Sequence, residues 1–195
     1  MRRLEEMILQ KGRVLPGNIL KVDSFLNHQL DVGLLDEVAG EFFRLFREDG
    51  VEKVLTLEVS GIAVAALTAL KFGVPMVFAK KTVSANMSED RYVSRVFSYT
   101  KNREYEISAA KEFLLPGERV LIVDDFLANG KALEGLLDLL RQAGSVPVGA
   151  AIVIEKGFQG GGDRLRGQGL RVESAAVVEA MEGGRVVFRS AGPDR

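Results

Sequence analysis

The sequence predicts an α/β fold in which helices cover both faces of a mostly parallel central sheet. Several short segments are almost entirely apolar, as strands are when a sheet is buried on both faces. Segments with helical periodicity lie between them, and such helices supply the crossover connections that parallel strands need. A long polar segment interrupts this alternation near the middle of the chain.

Composition limits the functions that the chain can have. Its 195 residues suffice for one good-sized domain, and we expect a single domain over residues 1–195. The net charge of −1 gives no general attraction to nucleic acid or to an anionic membrane. The absence of cysteine excludes disulfides and thiolate metal sites, and the single histidine, His28, excludes most histidine-based catalysis. Glu5 and Glu6 stand where a signal peptide needs an apolar core, so we expect a cytoplasmic protein.

The first part of the chain is predicted to form a small cap, residues 1–35, on the main domain. An amphipathic helix is expected over 2–11, and Pro16-Gly17-Asn18 then interrupts regular structure. Residues 19–30 mix apolar and polar side chains without a clear period, so their structure stays open. A helix over about 33–49 follows.

The core elements come next. Residues 53–58 predict a strand, 62–72 a helix and 76–80 a second strand. The polar segment 81–93 is too long for a plain connection and predicts a functional loop. We expect this segment to act as a flexible hood that closes over a bound substrate.

The remaining elements complete the sheet. Two antiparallel strands are expected at 94–101 and 103–110. The unit that follows has a strand at 119–123, a loop at 124–130 and a helix at 131–143. Further strands are expected at 148–154, 170–178 and 185–189, with a short helical turn at 163–168.

Residues 120–132 carry the strongest functional signal. They read Val-Leu-Ile-Val-Asp-Asp-Phe-Leu-Ala-Asn-Gly-Lys-Ala. Ligands of open α/β sheets bind at the carboxyl ends of strands, where Asp124 and Asp125 lie. The helix that follows offers free backbone N–H groups and the positive end of its dipole, and small residues allow a phosphate to approach closely. We therefore predict that the phosphate loop, residues 128–132, binds a sugar phosphate whose hydroxyl groups meet the two carboxylates. The acid pair alone fits an ordinary strand–loop–helix equally well.

This run resembles the substrate loop of the type I phosphoribosyltransferases. In that family a hydrophobic strand, paired acids and a small-residue loop hold the ribose and 5-phosphate of phosphoribosyl diphosphate. Asn129 and Ala132 each stand where the family usually has threonine, but binding through backbone N–H groups survives both changes. The resemblance implies the type I phosphoribosyltransferase fold. It also implies binding of phosphoribosyl diphosphate by Ala128, Asn129, Gly130, Lys131 and Ala132.

Two further segments fit the diphosphate of the same substrate. Ser60 and Gly61 follow a buried strand and precede a helix, and the matching loop of the family cradles the diphosphate. Taken alone, such a pair is more simply an ordinary turn. Lys80 and Lys81 begin the predicted hood. We expect Lys81 to neutralise the diphosphate leaving group, and we expect Asp124 and Asp125 to be the other catalytic residues. Mg²⁺ is expected to enter bound to the diphosphate, and no protein metal site is predicted.

The acceptor base is indicated by residues at both ends of the chain. The ammonium of Lys156 can donate to a carbonyl oxygen of a purine, which disfavours adenine because its 6-amino group is itself a donor. Phe158 could stack on the base. Residues 20–29 and 153–159 resemble the xanthine-using branch of the family, a similarity that extends over residues 1–189. That resemblance implies that Leu20, Asn27 and Lys156 contact xanthine, and that a cytoplasmic homodimer makes xanthosine monophosphate for purine salvage.

Two alternatives remain at this point. A regulator with the same fold would bind the nucleotide precursor and control transcription, but the first 35 residues show no basic stripe or helix-turn-helix spacing. An enzyme that uses another purine is the second alternative. Nothing physical in the sequence separates guanine, hypoxanthine and xanthine cleanly.

Overall fold

A six-stranded sheet organises the computed structural model, which describes residues 1–81, 90–98 and 103–189. The strands are β1 (Arg13–Leu15), β2 (Ile19–Lys21), β3 (Lys53–Leu57), β4 (Met76–Ala79), β5 (Arg91–Ser98), β6 (Arg103–Ala110), β7 (Arg119–Leu127), β8 (Val146–Lys156), β9 (Val172–Glu182) and β10 (Arg185–Phe188). The helices are α1 (Arg2–Lys11), α2 (Val32–Phe46), α3 (Gly61–Phe72), α4 (Lys131–Ala143) and α5 (Gly161–Gly167). One π-helical turn (Asp23–Asn27) and two 3₁₀ turns (Lys111–Phe113 and Gly157–Gln159) complete the described elements.

The central sheet has the strand order β10-β9-β8-β7-β3-β4. All neighbouring pairs are parallel except β9 and β10, which pair antiparallel at one edge. The predicted fold class, a mostly parallel sheet flanked by helices, is confirmed. Two small antiparallel sheets, β1-β2 and β5-β6, lie outside it.

Alternate residues of the central strands enter two separate cores. Leu121 and Val123 of β7 pack with the cluster that contains α1, α2 and α3 residues. Val120 and Ile122 of the same strand pack with the cluster that contains α4 and the β5-β6 pair. This alternation follows from the two-residue period of a strand, and it explains why the strand sequences are continuously apolar.

Strand β7 is longer than the sequence predicted. The expected loop at 124–130 is wrong over its first four residues, because Asp124 pairs with Ile152 and Leu127 with Glu155 in the ladder between β7 and β8. Strand β8 likewise continues to Lys156 rather than ending at 154. Backbone pairing with a neighbouring strand decides where a strand ends, and the side-chain pattern does not report that pairing.

The amino-terminal segment, whose structure the sequence left open, forms a hairpin and a π-helical turn. Strands β1 and β2 pair antiparallel across Pro16-Gly17-Asn18, and the π-helical turn follows at once. Helix α2 then begins at Val32, where the Asp31 carboxylate accepts a hydrogen bond from the Leu34 N–H at 3.0 Å. Such a cap satisfies one of the free N–H groups at a helix start.

The predicted hood lies mostly outside the described residues, since 82–89 is not part of them. Its last predicted residues, 91–93, belong to strand β5, so the expected start of that strand at 94 is wrong. Strand β5 pairs with β6 from Arg91 to Ser98. None of the described helices is long and apolar enough to cross a membrane.

A core leucine on α4 should contribute far more to stability than an exposed leucine on α1. Leu136 is fully buried between α4 and the sheet, whereas Leu9 is 60% exposed. We expect Leu136→Ala to lower the free energy of unfolding by about 2–5 kcal/mol through loss of burial and an unfilled cavity. The matched change Leu9→Ala should alter it by no more than about 0.5 kcal/mol. Urea denaturation measures both, and equal losses in the two variants would contradict the described core.

Candidate active site

Residues predicted to act together lie at one edge of the sheet. Four neighbouring parallel strands, in the order β8-β7-β3-β4, end there. Lys156 ends β8, the acid pair lies near the end of β7, Ser60 and Gly61 follow β3, and Lys81 follows β4. The connections of β3 and β7 run in opposite directions across the sheet, and ligands of open α/β sheets bind at such a switch point.

Gly61 brings two of these segments into contact. It is the first residue of α3, and a β-carbon built on it would overlap the Thr56 hydroxyl oxygen and lie 2.7 Å from Asp124 Oδ1. Only glycine therefore allows the loop after β3 to lie against the carboxylate on β7. Among the buried polar side-chain atoms described, Thr56 Oγ1 is the one that lacks a hydrogen-bond partner.

The acid pair lies in an environment that favours its neutral form. Burial, together with the neighbouring charge of Asp125, raises the pKa of Asp124 well above its ordinary value. Burial also raises the pKa of Asp125, although hydrogen bonds and the positive charge of Lys81 act in the opposite direction. Burial, and then the charge of Asp124, raise the pKa of Tyr105 on β6, so this hydroxyl lies within electrostatic reach of the acid pair. Ligand groups that donate hydrogen bonds or carry positive charge are therefore favoured here.

Lys81 lies at the same edge of the sheet as the acid pair, but its backbone N–H is bound by a carboxylate and is not free for an anion. Its backbone N–H donates to the Glu58 carboxylate at 2.5 Å, and its side chain is exposed. Its ammonium nevertheless lowers the pKa of both acids, which places its charge within electrostatic reach of Asp124 and Asp125.

The phosphate loop bends at residues 128–130, between the end of β7 and the start of α4. Gly130 has a left-handed backbone with a φ of 83°, which glycine adopts without strain. The Asn129 side chain turns back along the loop, where its Oδ1 accepts a hydrogen bond from the Lys131 N–H at 3.1 Å. Lys131 and Ala132 then open α4, so the loop leads directly into a helix start. Ala128 precedes this turn, directly after the end of β7.

Lys156 connects the strand edge with the amino-terminal hairpin. Its ammonium donates to the carbonyl oxygen of Asn18 at 3.0 Å and lies 5.6 Å from the centre of the Phe126 ring. Burial lowers the pKa of Lys156. A half-buried ammonium with unfilled donor capacity can bind a carbonyl oxygen of a ligand.

The other predicted base contacts lie in the amino-terminal cap. Leu20 is buried at the centre of β2, in the same hairpin as Asn18. Asn27 is exposed at the end of the π-helical turn. Phe158 is 37% exposed in the 3₁₀ turn after Lys156, whereas the aromatic ring beneath the ammonium is Phe126. The sequence reasoning missed Phe126, although its position two residues after Asp124 was a usable signal.

A buried ion pair holds the chain that follows Lys156. Glu155 is fully buried and accepts two hydrogen bonds from the Arg166 guanidinium, at 2.9 and 2.6 Å, and one from Ser174. Burial alone would raise the pKa of Glu155, but these donors lower it below its ordinary value. The segment 160–166 is therefore fixed to the end of β8.

Two functional candidates were not visible as such in the sequence. Thr56 is the one hydroxyl residue in the otherwise apolar stretch 54–57 of β3, and this contrast could have marked it as a candidate. Arg164 gave no signal, because α5 contains charged residues of both signs. The described residues contain no group of three or more histidine or acidic side chains that could hold a metal ion.

Comparison with known proteins places the chain in a family. The phosphoribosyl transferase domain matches residues 22–184. Xanthine phosphoribosyltransferase of Alkaliphilus metalliredigens is 53% identical over 97% of this chain and 94% of that protein, and the Bifidobacterium adolescentis protein of the same name is 50% identical over 97% and 100%.

Solved structures support the fold. Adenine phosphoribosyltransferase of Rhodothermus marinus superposes with a TM-score of 0.73 at 23% identity, over 91% of this chain and 100% of that one. The Saccharomyces cerevisiae enzyme gives 0.71 at 20%, over 89% and 99%. The matched domain and the 50–53% identity to the two named relatives show that the chain belongs to the phosphoribosyltransferase family and, within it, to the xanthine phosphoribosyltransferases.

Proposed function

We propose that this protein transfers the 5-phosphoribosyl group of phosphoribosyl diphosphate to xanthine, which yields xanthosine 5′-monophosphate and diphosphate in purine salvage. The observation that carries the proposal is the contact between the Gly61 loop and Asp124, beside a phosphate loop at the sheet's switch point. Phosphate, ribose hydroxyl and diphosphate groups of one donor molecule match these three neighbouring features. The relatives named xanthine phosphoribosyltransferase supply the acceptor.

The reaction breaks the bond between C1 of the ribose and the diphosphate oxygen and forms a bond from C1 to a purine nitrogen. The electron pair of the broken bond leaves with the diphosphate, and C1 carries positive charge in the transition state. Asp124 and Asp125 bind the ribose hydroxyls, and the positive charge that develops at C1 favours their ionised form, against the effect of burial, so that negative charge lies near the cation. A buried carboxylate is effective in this role, because few water molecules screen it.

The phosphate loop binds the 5-phosphate. Its contacts come from the backbone N–H groups of residues 128–132 and from the positive end of α4. The Asn129 side chain accepts a hydrogen bond within the loop through its Oδ1, which leaves the N–H groups of its Nδ2 able to donate to the phosphate in place of a threonine hydroxyl.

The diphosphate lies between Ser60, Gly61 and Lys81 in this proposal. Mg²⁺ that enters with the diphosphate would lower the charge of the leaving group. An ion held mainly by substrate oxygens needs few ligands from the protein. Lys81 adds an exposed positive charge at the same edge.

The base lies between the amino-terminal cap and the end of β8. Lys156 donates to an oxygen of xanthine, and Leu20 and Asn27 complete the contacts from the cap. Xanthine is acidic enough to give its proton to water, so the proposal assigns no general base to the protein. We further propose that residues 1–195 act as one domain with a cap at 1–35, in a cytoplasmic homodimer.

Base choice is the most direct test of this function. We expect kcat/KM to be highest for xanthine and lowest for adenine, because the 6-amino group of adenine leaves Lys156 without an acceptor. Steady-state assays of diphosphate release with xanthine, guanine, hypoxanthine and adenine measure the order. Absence of release with every base would contradict the enzymatic proposal, and a preference for adenine would remove the role of Lys156.

Replacing either Asp124 or Asp125 by asparagine should lower the activity. We expect Asp124→Asn and Asp125→Asn each to lower kcat/KM for phosphoribosyl diphosphate by about 100-fold, through loss of charge at the transition state. Asp36→Asn, at an exposed ion pair on α2, is the matched control and should leave the kinetics unchanged. Unchanged kinetics in both acid variants would exclude them from the site.

The same Asp124→Asn variant should be more stable than the unmodified protein at neutral pH. A carboxyl whose pKa is raised on folding stabilises the folded state below its unfolded pKa, and this contribution is lost as the pH rises. We expect Tm to rise by roughly 2–4 °C at pH 8 and the difference to shrink toward pH 4. Thermal melts across this range measure it, and a lower Tm at pH 8 would show that the carboxylate is stabilised by partners.

Lys156 should affect the base and not the sugar. We expect Lys156→Met to raise the KM for xanthine by about 10- to 100-fold, because a charge-assisted hydrogen bond is lost, with little effect on the KM for phosphoribosyl diphosphate. Lys11→Met, at the exposed end of α1, controls for the loss of one charge. Equal changes in both KM values would indicate a structural role for Lys156.

A further inference from the structure

Arg164 contacts the phosphate loop from outside the predicted site. It lies on α5, and its guanidinium donates to the carbonyl oxygen of Asn129 at 2.8 Å. The same guanidinium forms an ion pair with Glu134 on α4. The second carboxylate oxygen of Glu134 accepts from the Lys131 ammonium at 2.9 Å. Arg164 thus restrains the residues on both sides of Gly130, one directly and one through Glu134.

The contact with Asn129 fixes the orientation of a peptide group. In a trans peptide the carbonyl and the following N–H point in opposite directions. An Asn129 carbonyl held toward Arg164 therefore turns the Gly130 N–H away from α5. Backbone N–H groups are the donors on which a phosphate loop depends, so control of this peptide controls the site.

The start of α5, the helix that carries Arg164, packs tightly against the phosphate loop. A β-carbon on Gly161 would overlap the Ala128 carbonyl oxygen and lie 2.6 Å from the Asn129 carbonyl carbon. A β-carbon on Gly130 would lie 3.0 Å from the Arg164 guanidinium. Two glycines therefore allow the loop to lie directly on the start of α5, while Arg166 fixes the other end of the helix to Glu155.

We propose that Arg164 is a positioning residue that sets the affinity for the phosphorylated ribose donor. It does not bind the donor itself, because its guanidinium is engaged by Glu134 and the Asn129 carbonyl. The proposal deepens the function proposed above and rests on the phosphate loop being the donor site. It assigns to α5 the role of holding that loop in its binding conformation before the donor arrives.

Steady-state kinetics of Arg164→Met test this role. We expect the KM for phosphoribosyl diphosphate to rise about tenfold, the usual effect of losing one charge-assisted hydrogen bond at a partly exposed position. The KM for xanthine and kcat at saturation should change by less than about twofold. Arg141→Met is the matched control, since Arg141 forms a comparable exposed ion pair with Asp138 on α4 and should leave all three constants unchanged.

Two further variants separate the contacts. Arg164→Lys keeps one positive charge but lacks the planar fork that reaches both partners, so we expect a smaller rise of about threefold. Glu134→Gln weakens the ion pair and leaves the bond to the Asn129 carbonyl, so it should raise the same KM in the same direction. If Arg164→Met does not fold, Glu134→Gln still tests the proposal, because it changes only one atom of a partly buried side chain.

The outcomes distinguish this proposal from the proposed function. Equal rises in both KM values, or no change in the donor KM of Arg164→Met or Glu134→Gln, would overturn the role of Arg164 while the enzyme itself remained active. If the unmodified protein shows no turnover, calorimetric titration with phosphoribosyl diphosphate replaces the kinetics. Weaker binding by Arg164→Met would then support the positioning role, and no binding by the unmodified protein would overturn both proposals.

Discussion

The approach of Gly61 to Asp124 is the constraint on which the site depends. Strands β3 and β7 are neighbours and parallel, so their carboxyl ends meet at one edge and the segments that follow must share a small space. Any side chain on Gly61 would collide with the Thr56 hydroxyl or lie 2.7 Å from Asp124 Oδ1. The absence of a β-carbon therefore lets the turn after β3 and the carboxylate on β7 lie side by side.

Two buried carboxylates on adjacent strands have pKa values that are shifted in opposite directions by the groups around them. Glu155 has Arg166 and Ser174 as donors, so its pKa is lowered and it fixes the chain after β8. Asp124 is also buried; among the described residues the Asp125 N–H donates to it at 3.0 Å, but burial and the charge of Asp125 raise its pKa. A buried polar group without compensation costs stability, and such sites tend to occur where a ligand supplies the missing contacts.

The sequence located most elements because their periodicity was clear, but it misjudged several ends. Asp124 and Asp125 look like loop residues, yet they belong to β7 because β8 offers its backbone for pairing. Residues 19–27 gave no clear period, because a three-residue strand and one π-helical turn are too short to show one. Hydrophobic patterns report burial, whereas strand ends are decided by backbone partners far away in the chain.

The amino-acid order was enough to predict the fold class and the family, because both depend on local patterns: an apolar strand, two acids, small residues and a helix start. Which distant groups meet became visible only in the folded chain. The fold joined Lys156 to the Asn18 carbonyl and Arg164 to the Asn129 carbonyl, contacts across 138 and 35 residues. Backbone carbonyls have no identity in a sequence, so contacts of this kind become visible only when the chain is folded.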